Sequence, residues 1–141
     1  MKPTSYGVCF YKITDTTEIL LMRAKGHKNW GFIKGKIDKG ETSKECAVRE
    51  CLEETGILVD QSLLEDMYYQ TGDKKNVGIF MVDSVNVDFS TISLCPREVE
   101  ELKWFKITDY IDIQMNQRKI LKKIINFYIK RVYYFNKGNN E

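Results

Sequence analysis

The sequence predicts an α/β fold in which a mixed β-sheet lies between helices, an α/β/α sandwich. Three observations carry this expectation. Short runs rich in β-formers recur from Tyr6 to Phe105, bounded by polar turns. A capped, periodic helix interrupts them at 42–55, and a second long helix closes the chain at 117–134. Strands interleaved with helices in this way pack as layers. The 141 residues suit one domain, expected over 1–135, with a flexible tail at 136–141.

Tyr6 to Ile13 alternates and reads as a strand, Asp15-Thr16-Thr17 as a turn, and Glu18 to Arg23 as the returning strand. Lys25 to Asn29 is a polar loop. The apolar run Trp30-Gly31-Phe32-Ile33 leads into a glycine-containing loop at Gly35. Thr42 followed by Glu45 fits a capping box, and Gly56 fits the residue just past the helix end. Within that helix Val48, Cys51, Leu52 and Thr55 fall at helical spacing and read as one buried stripe. Strands are expected at Met67–Gln70 and Val77–Val85, joined by the turn at 72–76, then a loop over 86–97 and a strand at Glu101–Phe105. Thr108-Asp109 reads as the cap of a short helical turn. In the last helix Ile120, Leu121, Ile124, Ile125, Phe127, Tyr128 and Val132 form a broad apolar face.

The composition is 43% hydrophobic and 30% charged, with 2 prolines, as expected of an ordinary globule. The net charge of +2 does not by itself imply nucleic acid. No apolar run approaches the roughly 20 residues of a membrane helix, and the opening MKPTSYGVCFYK lacks the apolar core of a signal peptide. Cys9, Cys46, Cys51 and Cys95 show neither a CxxC pair nor zinc spacing, so reduced, mostly buried thiols in a cytoplasmic protein are expected.

The chemistry concentrates at 35–57. Glu41, Glu50, Glu53 and Glu54 crowd one loop and one helix. At about 100° per residue the three helix glutamates lie together, opposite the apolar stripe, with Ala47 beside them. Carboxylates this dense repel unless a cation sits among them. Hard oxygen donors suit Mg²⁺ or Mn²⁺, ions that bridge to substrate phosphates. Arg49 stands four residues before Glu53 and can pair with it.

The full spacing is Gly35, five residues, Glu41, seven residues, Arg49-Glu50, apolar Cys51, one residue, Glu53-Glu54, one residue, Gly56 and apolar Ile57. It resembles, without a gap, the signature of the Nudix hydrolases. That resemblance implies an α/β/α fold and metal-dependent hydrolysis of a phosphoanhydride in a nucleoside diphosphate linked to another group. It also implies Glu50 and Glu54 as metal ligands, Glu53 as ligand or proton acceptor, the Gly35 carbonyl completing the metal shell, Glu41 in support and Arg49 holding Glu53. Glu98 lies six residues before Trp104, the offset of a glutamate in the dinucleoside tetraphosphate hydrolases of this family, and the resemblance implies that such a loop carboxylate binds metal or acts as base.

Lys34 and Lys36 flank Gly35 and can grip phosphates as point charges. The run WGF-x-KGK resembles both the dinucleoside polyphosphate hydrolases and the mRNA-decapping branch, with one departure: Ile33 stands where those branches carry proline. Arg23 is a further phosphate-binding candidate. His27 is the only histidine, and Tyr68, Tyr69 and Phe80 are candidates to stack on a base. The segment from Gln117 to Gly138 holds seven basic residues and no acidic one, an outer face that could meet RNA.

The expected substrate is a nucleotide, first a dinucleoside polyphosphate such as Ap4A. A 5′-capped or triphosphorylated RNA end is the alternative, and a nucleoside triphosphate comes third. A non-catalytic nucleotide sensor is disfavoured because Arg49, Glu50, Glu53 and Glu54 all stand. Membrane partners are not expected.

Overall fold

The computed structural model describes residues 2–139, with side chains described through Ile129. Seven strands make one mixed sheet: β1 (Thr4–Ile13), β2 (Thr17–Ala24), β3 (Trp30–Gly31), β4 (Ile33–Lys36), β5 (Met67–Gln70), β6 (Asn76–Asp83) and β7 (Val99–Lys106). Two helices join them, α1 (Ser43–Thr55) and α2 (Arg118–Asn139). The α/β sandwich expected from the sequence is what the chain forms.

The strand path is β3-β2-β1-β6-β5, with β4 on β1 and β7 on β2. β1 and β6 run parallel from Thr4 opposite Asn76 to Tyr11 opposite Asp83; every other pairing is antiparallel. β1 and β2 pair only from Tyr11 opposite Ile19 to Ile13 opposite Thr17. Beyond that the two strands part. β4 fills the freed edge of β1, and β3 the freed edge of β2. This split in the sheet puts residues 30–36 at its centre, and the site grows from it.

Alternation explains the two layers. Val8 and Phe10, Leu20 and Met22, and Phe80 and Val82 face α1 in one core with Ala47, Cys51 and Ile57. Cys9 and Tyr11, Ile19 and Leu21, and Ile79 and Met81 face the other way, against Ile120, Leu121, Ile124 and Tyr128 of α2. Both faces being covered, β1, β2 and β6 are near-continuous apolar runs. Cys9, Cys46 and Cys51 are buried, Cys95 is half-buried, and all four are free thiols.

Several boundaries differ from expectation. Gly35 lies within β4, opposite Tyr6, and not in a loop. Ile33, where a proline would have marked the related branches, is a fully buried strand residue opposite Val8, and its apolar side chain fills the α1 core. β6 ends at Asp83, whose side chain accepts from Val85 N and starts a 3-10 turn. The loop over 86–97 contains a further 3-10 turn, Phe89–Thr91. Thr108-Asp109 forms a turn and no helix, with Asp109 N donating to Lys106 O at 3.0 Å. α2 runs past Tyr134; Val132 lies beyond the described side chains, and the expected tail falls partly outside the described residues.

Candidate metal and phosphate site

α1 starts as the sequence predicts. Thr42 caps it, accepting from Glu45 N at 3.1 Å while Glu45 accepts from Thr42 N at 3.0 Å. At the other end Gly56 takes a left-handed φ of 74° and donates to Leu52 O. A side chain there would also strike Ser93 N and Thr91 O, because the 86–97 segment crosses at that point. The predicted stripe is rotated, however. Leu52 is 46% exposed, whereas Ala47, Cys51, Glu54 and Thr55 are buried. The Glu54 side of α1 therefore faces the sheet, not water.

Arg49 organises the acids. Its Nε donates to Glu41 at 2.6 Å, Nη1 to Glu50 at 2.9 Å and to Glu53 at 3.1 Å, and Nη2 to Glu41 at 3.0 Å and to the Lys36 carbonyl at 3.1 Å. Asp38 stands 3.4 Å from Nη2. The planar fork suits such multiple carboxylate contacts, which a lysine could not reproduce. These bonds and the Asp38 amide hold the Glu41 carboxyl down to about 2, and raise the already high pKa of Arg49.

Glu50 lies directly over Gly35. A methyl group at position 35 would overlap the Glu50 carboxylate, so glycine is what allows the helix carboxylate to approach β4. The Gly35 carbonyl accepts the Cys46 thiol at 3.4 Å. Burial pushes the Glu50 carboxyl up against the lowering influence of Arg49.

Glu54 is 5% exposed, and its Oε2 is buried without a hydrogen-bond partner. Burial, then the charges of Glu50 and Glu98, push its carboxyl up to about 8, while Lys34 pulls the other way. Glu98 is thus brought from the turn before β7 to face the helix acids. It is exposed and makes no ion pair among the described residues. Lys34 is half-buried between these acids and Lys75; burial first and the Lys75 charge second bring its ammonium down to about 8.

Among the described residues no three acidic, histidine or cysteine groups already form an ion cage. The reason is visible: Glu50 and Glu53 are turned onto Arg49. The donor set nevertheless fits a hard divalent cation. The Glu54 Oε2 is buried and orphaned, Glu98 makes no ion pair among the described residues, and Glu50 beside them has one oxygen on Arg49 while its carboxylate lies over Gly35, so oxygen donors outnumber the cations that face them.

The remaining candidates divide. Lys36 is exposed, and its carbonyl serves Arg49. Arg23 is engaged by Glu101 at 3.3 Å and by the His27 carbonyl at 3.3 Å, with Trp30 beneath it. His27 lines a cavity of about 210 Å³ beside Lys34, Phe32, Lys75 and Gln117. Phe80 is core, Tyr68 packs against the α2 layer, and Tyr69 is half-buried. Sequence reasoning missed Lys75 and Gln117. Gln117 is 1% exposed, and its Oε1 accepts the Phe32 amide at 2.6 Å, tying the start of α2 to the strand pair beside the cavity. Neither stands in a motif, and no signal in the sequence marks either one.

These features define a carboxylate-rich site on a Nudix sandwich, and comparison with known proteins agrees. A family model described as NUDIX domain matches residues 3–124. The chain belongs to the NUDIX family. It is 38% identical over 87 residues to the m7GpppN-mRNA hydrolase dcap-2 of Caenorhabditis elegans, covering 61% of this chain and 11% of that protein. It is 29% identical over 105 residues to the mRNA decapping complex subunit 2 of Schizosaccharomyces pombe, covering 74% of this chain and 14% of that one. The match thus spans a small part of either relative. Its fold is similar to that of a C. elegans Ap4A hydrolase, with TM-score 0.63 and 22% identity, over 89% of this chain and 96% of that chain. No helix among the described residues is long and apolar enough to cross a membrane.

Proposed function

We propose that this protein is a Mg²⁺- or Mn²⁺-dependent hydrolase that cleaves a phosphoanhydride within a nucleoside diphosphate linked to another group. The buried, partnerless Glu54 oxygen beside Glu50 and facing Glu98 carries this reading. Glu50, Glu54 and the Gly35 carbonyl would hold the ion, with Glu53 as a further donor. Bound there, a divalent ion neutralises phosphate charge and acidifies a coordinated water.

The chain's own groups supply the rest. Arg49 gathers Glu41, Glu50 and Glu53 into one array beside Glu54. Lys34 stands half-buried beside the acids, where a cation stabilises the charge that spreads over the transferred phosphoryl oxygens. Glu98 has both carboxylate oxygens free of ion pairs among the described residues, whereas Glu53 has one oxygen on Arg49. Glu98 is therefore assigned to take the proton of the attacking water, with Glu53 as its alternative. Arg23, paired with Glu101, would reach substrate only by leaving that pair.

A capped or triphosphorylated RNA 5′ end and a dinucleoside polyphosphate both contain the required linkage. The decapping relatives favour the RNA end; the Glu98 offset, with its charge facing the helix acids, favours the dinucleotide. The protein is expected to act in the cytoplasm on these polar substrates. The test is incubation with Mg²⁺ and a panel of Ap4A, nucleoside triphosphates, ADP-ribose and capped or triphosphorylated RNA, beside Glu54→Gln and Glu98→Gln. Hydrolysis of a phosphoanhydride that EDTA and Glu54→Gln abolish supports the reading; nucleotide binding without turnover makes the site a sensor and ends it.

A further inference from the structure

The cavity beside Lys34 does not end at the acids. Lys75 lines it and also lines a second cavity of about 640 Å³ between the β5–β6 turn and the start of α2. That volume lies in the range of roughly 300–1,000 Å³ typical of ligand sites. Its walls carry Lys74, Lys75, Arg118, Lys119 and Lys122 against one acid, Asp73. Among the described residues none of these cations, nor Lys34, makes an ion pair. The contrast with Lys123 is informative: it lies on the same helix but outside the cavity, and its Nζ is spent on the Tyr69 carbonyl at 3.2 Å.

We propose that this second cavity is a track for the sugar-phosphate backbone of single-stranded RNA whose 5′ linkage lies at the carboxylate site; this rests on the hydrolase reading above and names its substrate class. A dinucleotide needs no cationic surface beyond its own two ends. A chain leaving the site past Lys34 and Lys75 meets four further cations, each able to displace a counterion from a phosphate. Among the described residues no aromatic ring lines the second cavity, so the recognition is of backbone and not of sequence. The amides that open α2 are not part of the track, because Gln70 Oε1 already accepts from Lys119 N at 3.0 Å and Ile120 N at 3.4 Å. Side-chain cations carry it.

The test is metal-free binding, which needs no turnover. A fluorescein-labelled single-stranded RNA of about 15 nucleotides and a labelled dinucleoside tetraphosphate are titrated by anisotropy into wild type and the Lys74→Glu/Lys122→Glu variant. Both side chains are exposed, so the fold should survive, and a matching melting temperature checks this. The expected result is RNA affinity at least tenfold weaker in the variant, with dinucleotide affinity changed far less. The slope of log affinity against log salt should fall by about 0.7 for each phosphate that the variant no longer neutralises. Equal RNA affinity in the two proteins overturns the track. So does RNA binding no tighter than the dinucleotide in wild type. Absence of phosphoanhydride hydrolysis with Mg²⁺ would instead strike the hydrolase reading, and the binding result would stand apart from it.

Discussion

Gly35→Ala isolates how the sheet seats the helix acids. The added methyl overlaps the Glu50 carboxylate, while the backbone at 35 is ordinary strand and accepts alanine. The carboxylate must move, breaking its 2.9 Å bond to Arg49 Nη1, a charged hydrogen bond worth about 1.5–3 kcal/mol before relaxation. Because Glu50 is also a candidate ligand, a displacement near 1 Å should cost roughly 100-fold in kcat/KM, or about 2.7 kcal/mol of transition-state stabilisation. The assay is kcat/KM with saturating Mg²⁺ on whichever panel substrate wild type cleaves, with thermal unfolding alongside. The decisive comparison is a double-mutant cycle with Glu50→Ala, which removes the carboxylate that the methyl overlaps. Gly35→Ala should cost little in that background. If it costs as much with Glu50 absent as present, or if the single variant stays within about threefold of wild type, the close-approach argument is wrong.

Other consequences follow from the same geometry. Arg49→Lys keeps the charge but loses the fork; it should lower kcat/KM by about 10–100-fold and reduce the melting temperature, read by kinetics and calorimetry. The Glu41 carboxyl is held down to about 2, so its pairing stabilises the fold fully above about pH 4.3 and is lost as pH falls toward 2. Glu41→Gln should therefore destabilise at neutral pH, with the gap to wild type closing below pH 4 in acid titrations. Glu54 is raised to about 8, the opposite sense: the unfolded chain ionises first, and the cost to the fold accumulates between about pH 4.3 and 8. In EDTA, Glu54→Gln should be increasingly more stable than wild type across that window by denaturant unfolding, while losing Mg²⁺-dependent activity. Gly56→Ala forces a side chain into a left-handed φ and against Ser93 and Thr91, and should cost about 1–3 kcal/mol in urea unfolding.

Local signals carried a good part of this protein. The capping box at Thr42 and the glycine at 56 set α1, because they act through bonds within a few residues. Met67–Gln70 was legible to the residue, since a polar turn and a β-rich run coincide there. The acids, their ordering arginine and the NUDIX family were likewise written in one 23-residue stretch, whose spacing alone groups Glu50, Glu53 and Glu54 on a helix.

Tertiary structure decided what each group means. Periodicity placed Leu52 inside and Glu54 outside, but the 86–97 segment and β4 pack on the opposite flank, leaving Leu52 exposed and Glu54 buried. Gly35 read as a loop residue because one glycine between two lysines has no strand signal; pairing with Tyr6 across the split sheet makes it one. Glu98 acts on the acids from the turn before β7, Lys75 comes beside Lys34 from the β5–β6 turn, and Lys75 joins residues 115–122 only where that turn meets the start of α2. A sequence sets spacing along one chain, and so it determined the helix, its caps and its acids. Burial, and with it the charge state of Glu54 and the path of the cationic groove, depends on which segments arrive from elsewhere, and only the folded chain brings them together.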